Sequence, residues 1–126
     1  MSAQISTGNT NNSGTYSSAI GFQTSAVGDY STAMGYNTTS SASYCTAMGY
    51  ATTASGSTST AMGVNTTASG DGSTSFGNQT IASANNSSAM GASTTASGEV
   101  STAMGYATTA NGSTSTSMGL STTANG

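Results

Sequence analysis

Residues 43–56 read S-Y-C-T-A-M-G-Y-A-T-T-A-S-G, and the same phrase returns with small changes every 14 residues along the chain. Its Met48-Gly49 step is one of a series that runs Ile20-Gly21, Met34-Gly35, Met48-Gly49, Met62-Gly63, Phe76-Gly77, Met90-Gly91, Met104-Gly105 and Met118-Gly119. A second glycine set, Gly14, Gly28, Gly56, Gly70, Gly98, Gly112 and Gly126, keeps the same step, with Ala42 and Ala84 filling its two gaps. The 126 residues therefore divide without remainder into nine units. A fixed period of this kind is the signature of a stacked repeat architecture.

Positions are counted so that Ser43 holds the first place of its unit and Gly56 the fourteenth. The two glycines of a unit stand seven residues apart, and glycine lets a chain reverse over a short distance. Gly21, Gly35, Gly49, Gly63, Gly77, Gly91, Gly105 and Gly119 are therefore expected to turn one corner of each coil, and the second set the other. Between the corners lie five-residue segments of alternating character, which read as short strands. The expectation is an all-β, parallel β-solenoid whose coils lie about 4.8 Å apart, a rod of roughly 40 Å. It forms one repeat domain over 1–126, with 1–14 a degenerate first coil and 15–126 eight regular ones.

Alternate strand residues face opposite ways, which sorts each coil into inside and outside. The third position (Ser17, Ser31, Cys45 and their equivalents), the fifth (Ala19, Ala33, Ala47), the tenth (Thr in all nine units) and the twelfth (mostly Ala) are uniformly small. Such columns suit a narrow, flattened interior. The sixth position then points outward, and it holds Ile20, Met34, Met48, Met62, Phe76, Met90, Met104 and Met118, with Tyr36, Tyr50 and Tyr106 in the eighth column beside it. A stripe whose members are each worth about 1.5–3 kcal/mol on burial is too long to leave in water, so it reads as an interface. The opposite parity would put the Met column inside and leave the nearly all-Ala fifth column in solvent for no physical gain.

The repeat S-T-A-M-G-Y-x-T-T-A-S-G resembles the S-v-A-i-G-x-x-A-x-A-x-G repeat of YadA-like heads in trimeric autotransporter adhesins, over residues 15–126. That resemblance implies a left-handed parallel β-roll packed as a homotrimer, with the hydrophobic residues of the S-v-A-i-G strand facing the trimer axis. The handedness comes from the resemblance alone, since the general crossover rule points the other way. The chain departs from the family in carrying Thr32, Thr46, Thr60, Thr74, Thr102 and Thr116 where Val is common, which makes the expected interface more polar.

Composition narrows the function. There is no Lys, Arg or His, only three acids (Asp29, Asp71 and Glu99) and one cysteine. Phosphate contacts cannot be made without cations, so nucleic acid and a polybasic membrane contact are excluded as partners. No stretch reads as a signal peptide or approaches about 20 apolar residues, so direct membrane insertion is not expected and targeting is expected to lie elsewhere. The acids stand at first positions at least 28 residues apart, and no base is available to activate a hydroxyl. No catalytic, cofactor or metal site is expected, and Cys45 reads as a small buried thiol in a serine column.

The chain therefore reads as a non-enzymatic fibre module of a cell surface, the extracellular space or a virion tail. As the head of an adhesin it would present Asn37, Thr39, Thr53, Asn65, Thr67, Thr95, Thr109 and Thr123 to a host or matrix surface. As a structural segment of a phage tail fibre or surface filament it would stack end to end without a ligand. An ice-binding solenoid is the third reading, motivated by the outward threonines. The neighbouring column of Asn37, Ala51, Asn65, Gln79, Ser93 and Ala107 is too mixed for a flat lattice match.

Overall fold

A computed structural model describes residues 8–126. Met1 to Thr7, half of the expected first coil, lie outside the described residues. Each regular coil contributes one five-residue and one two-residue strand. The long strands are β2 (Ser18–Phe22), β4 (Thr32–Tyr36), β6 (Thr46–Tyr50), β8 (Thr60–Val64), β10 (Thr74–Asn78), β12 (Ser88–Ala92), β14 (Thr102–Tyr106) and β16 (Thr116–Leu120). The short ones are β1 (Asn11–Asn12), β3 (Ser25–Ala26), β5 (Thr39–Ser40), β7 (Thr53–Ala54), β9 (Thr67–Ala68), β11 (Ile81–Ala82), β13 (Thr95–Ala96), β15 (Thr109–Ala110) and β17 (Thr123–Ala124).

The long strands form one sheet and the short strands another, each in simple sequential order. Every pairing is parallel and shifted by one repeat, as in Met34↔Met48 and Thr39↔Thr53. The chain is thus a parallel β-solenoid of about eight turns. Residues 71–84 carry Phe76, Asn78, Ile81 and Ala84 where neighbouring units carry other types, yet β10 pairs residue for residue with β8 and β12. The variation is absorbed without a bulge.

The interior is made of small side chains. Ala19, Ala33, Ala47 and Ala61 are fully buried, as are Ala26, Ala54 and Ala68 from the short strands, and the largest fully buried side chains are threonines of the tenth column. Alanine clusters run along the axis with Cys45 among them. The sixth-column residues lie on the opposite side of the long sheet, half-buried at Met34, Met48, Met62 and Met90 and exposed at Phe76, Met104 and Met118. The interior parity of the Met column is thereby ruled out.

The corners differ from the expectation. The eight glycines of the seventh column lie inside the long strands, at φ between 113° and 128°. What demands glycine is coil-to-coil approach as well as backbone sign: a Cβ on Gly63 would run into the carbonyl oxygen of Gly77 in the next coil. The chain instead bends at the ninth and second positions, where non-glycine residues hold φ near +55°, among them Asn37, Asn65 and Ala107 at one corner and Tyr30, Tyr44 and Val100 at the other. That conformation costs an L-residue about 1–2 kcal/mol. It is held by bonds between coils: the Asn65 N–H donates to the Tyr50 carbonyl at 2.9 Å, and the Tyr30 N–H to the Thr15 carbonyl at 2.8 Å. The second strand also spans two residues instead of five, because the ninth-position bend uses up the start of its segment.

Candidate functional surfaces

Two faces and two corners are available to a partner. On the long-strand face, positions two, four, six and eight point outward, so one coil presents Tyr30, Thr32, Met34 and Tyr36 side by side. No charged residue stands in any of these four columns. Apolar groups therefore lie half-exposed along the whole sheet beside a column of threonines. The eighth-column rings stack from coil to coil: Phe22 on Tyr36 at 5.6 Å and Tyr36 on Tyr50 at 5.2 Å between centroids. Parallel in-register strands place like rings one above another, and offset stacking is a favourable arrangement.

The short-strand face is polar. Thr39, Thr53, Thr67, Thr95 and Thr109 lie half-buried in one ladder, with Thr123 exposed at its end. Ile81 interrupts that ladder between Thr67 and Thr95. Asn37 and Asn65, expected in the same binding surface, are exposed but sit at the corner in the left-handed conformation. The eight residues thus divide between a threonine ladder on the sheet and a pair of corner asparagines beside it.

Two of the three acids have a structural task that the sequence does not display. Asp29 Oδ1 accepts the Thr15 N–H at 2.8 Å, and Asp71 Oδ1 accepts the Ser57 N–H at 2.9 Å, each one coil back. Asn85 does the same for the Asp71 N–H at 3.1 Å. Short oxygen-bearing side chains at turns are favoured for this kind of bond, and the first position is where the turn leaves an N–H to be satisfied. The three acids stay two or more coils apart. Among the described residues no group of acids, His or Cys could hold a metal ion.

Inside, Cys45 donates its S–H to the Ala42 carbonyl at 2.8 Å, and burial pushes its thiol pKa up. It sits in the column that Ser17 and Ser87 occupy elsewhere, each bonded to the carbonyl three residues back at 2.7 Å. The side chain is a buried donor facing the core.

A stacked coil with small residues inside, an unbroken register and apolar groups outside describes a repeat solenoid, whose surfaces are long faces. The family description that matches is the YadA head domain repeat (2 copies), at residues 13–38, 40–66, 54–80, 68–94, 82–108 and 96–122. The chain belongs to the YadA head repeat family. Comparison with curated proteins gives no match.

Proposed function

We propose that the chain is the head segment of a trimeric cell-surface adhesin, with no enzymatic activity. The observation that carries the trimer is the long-strand face, on which methionine and aromatic side chains stand half-exposed along every regular coil. The alanine and serine core offers little burial against a backbone ordering cost of about 1–2 kcal/mol per residue, and association of three such faces supplies more. Ile20, Met34, Met48, Met62, Phe76, Met90, Met104 and Met118 then face the axis, with Tyr36, Tyr50 and Tyr106 beside them.

The polar face remains outward. Asn37, Thr39, Thr53, Asn65, Thr67, Thr95, Thr109 and Thr123 form a repeated array in which many weak contacts to a host or matrix surface add by avidity. Replacing Asn37 and Asn65 by Asp, and Thr39 and Thr67 by Glu, tests this directly. Each change is expected to alter stability by no more than about 0.5 kcal/mol, because the side chains point out of the core. Adhesion of coated beads to matrix or host cells is expected to fall, and to fall further as more coils are changed.

The unbroken pairing from Asn11 to Ala124 also suits a structural segment of a tail fibre or filament. That reading predicts intact assembly and no binding by either the original or the substituted protein. Ice binding is disfavoured by Ile81 in the ladder; loss of thermal hysteresis in the substituted protein would restore it.

A further inference from the structure

The second and eighth columns border the long-strand face on opposite sides, and they change together over residues 15–98. In the three coils from residue 15 to residue 56, Tyr16, Tyr30 and Tyr44 stand on one edge and Phe22, Tyr36 and Tyr50 on the other. The next coils carry Thr58 with Val64, Gly72 with Asn78, and Asn86 with Ala92. Large aromatics thus appear on both edges or on neither across these six coils, while the last two coils pair Val100 with Tyr106 and Thr114 with Leu120 and carry no such match. Within one protomer the two columns cannot touch, because the four-residue step from position four to position eight alone spans about 13 Å. Each edge forms its own ladder: Tyr16 on Tyr30 at 5.3 Å and Tyr30 on Tyr44 at 5.0 Å, against 5.6 Å and 5.2 Å on the other edge. The tyrosines of the second column are between 51% and 61% exposed.

We propose that the two aromatic ladders mate between protomers, the second-column edge of one chain lying against the eighth-column edge of the next, three times around the ring. The inference rests on the trimer reading. A three-fold ring is built from heterologous contacts, in which one patch meets a different patch of the neighbour, so the two borders of the same face are the surfaces that must meet. Both ladders have the spacing of the coil rise, so rings of one can lie along the other over three rungs without a loss of register. No charge stands in either column to oppose the contact. The pairing makes residues 15–56 an aromatic collar, and makes the edges of the middle coils comparatively loose.

Disulfide trapping tests it. In a Cys45→Ser background, Tyr30→Cys is combined in turn with Phe22→Cys, Tyr36→Cys and Tyr50→Cys, since half a coil of rise decides which rung Tyr30 meets. Under copper-catalysed oxidation one of these pairs is expected to close a covalent trimer, three times the 12.1 kDa chain, on non-reducing gels. Within one chain those sites are too far apart to bridge, because cysteine Cα atoms must come within about 7 Å. Tyr30→Cys alone is expected to give no cross-link. A trimer by sedimentation that traps no pair would overturn the mating and leave the trimer standing; cross-linked dimers from Tyr30→Cys alone would show like edges meeting and overturn it as well. A folded monomer would overturn both. Should the variants fail to fold, nitration of the unsubstituted protein decides: Tyr16, Tyr30 and Tyr44 are expected to react at least tenfold more slowly than free tyrosine, and equal rates would refute the contact.

Discussion

Ser75 Oγ and Thr80 Oγ1 lie 2.7 Å apart across the interior of one coil, joining the two sheets by a side-chain hydrogen bond. Ser117 and Thr122 repeat the arrangement at 2.8 Å. These are the regular coils in which the fifth position is Ser. Where it is Ala, the facing hydroxyls of Thr24, Thr38, Thr52, Thr66, Thr94 and Thr108 are buried without a partner among the described residues. The fifth column therefore decides whether the tenth-column threonine is satisfied.

Ala61→Ser should accordingly supply a partner to Thr66 and raise stability by about 0.5–1.5 kcal/mol, the net worth of an ordinary hydrogen bond. Ser75→Ala should lower it by a similar amount or more, since it leaves Thr80 buried and unpaired. Chemical denaturation of the two variants beside the unsubstituted protein measures both. A loss of stability in Ala61→Ser would mean that the interior has no room for the added oxygen.

The backbone makes a paired prediction of opposite signs. Gly63→Val meets both a φ of 127° and the Gly77 carbonyl, so it should cost well over the roughly 1 kcal/mol of simple strand propensity. Ala107→Asn places at a φ of 54° a residue that tolerates it, as Asn37 and Asn65 do in the same column, and should stabilise by up to about 1 kcal/mol. Thermal melts of the two proteins report the signs, and equal melting temperatures would disprove the assignment of strain.

The period and the inward columns were legible because stacking repeats every constraint once per coil: Ser17, Ala19, Thr24 and Ala26 are small for the same reason in each unit, and all are buried. The corners were not, because local preference and position part company there. Glycine drew attention to the seventh column, where Gly63 is needed by the next coil's backbone, while the true bends carry Tyr30, Val100 and Ala107, types with no left-handed preference. Their conformation is set by hydrogen bonds from the coil before, a constraint that no single unit displays. The bonds of Asp29 and Asp71 were hidden for the same reason, because each runs to a residue 14 positions away.

Cys45 gives the protein an alkaline weakness. Its thiol pKa is raised by burial above the unfolded value of about 8.5, so the folded state holds its proton more tightly. The stabilisation is fully present below the unfolded pKa and is lost as pH rises through and beyond it toward the folded one. The melting temperature should therefore drop more between pH 7.5 and about pH 10 for the unsubstituted protein than for Cys45→Ser, the tyrosines being common to both. Identical slopes would show that the thiol ionises alike in the folded and unfolded chains.

Association through the long-strand face is tested most directly by mass in solution. Sedimentation equilibrium of the folded chain should give a particle three times the 12.1 kDa protomer, and Met62→Asp, which sets a carboxylate among apolar side chains, should dissociate or unfold it. A folded, stable monomer of 12.1 kDa, unchanged by that substitution, would contradict it.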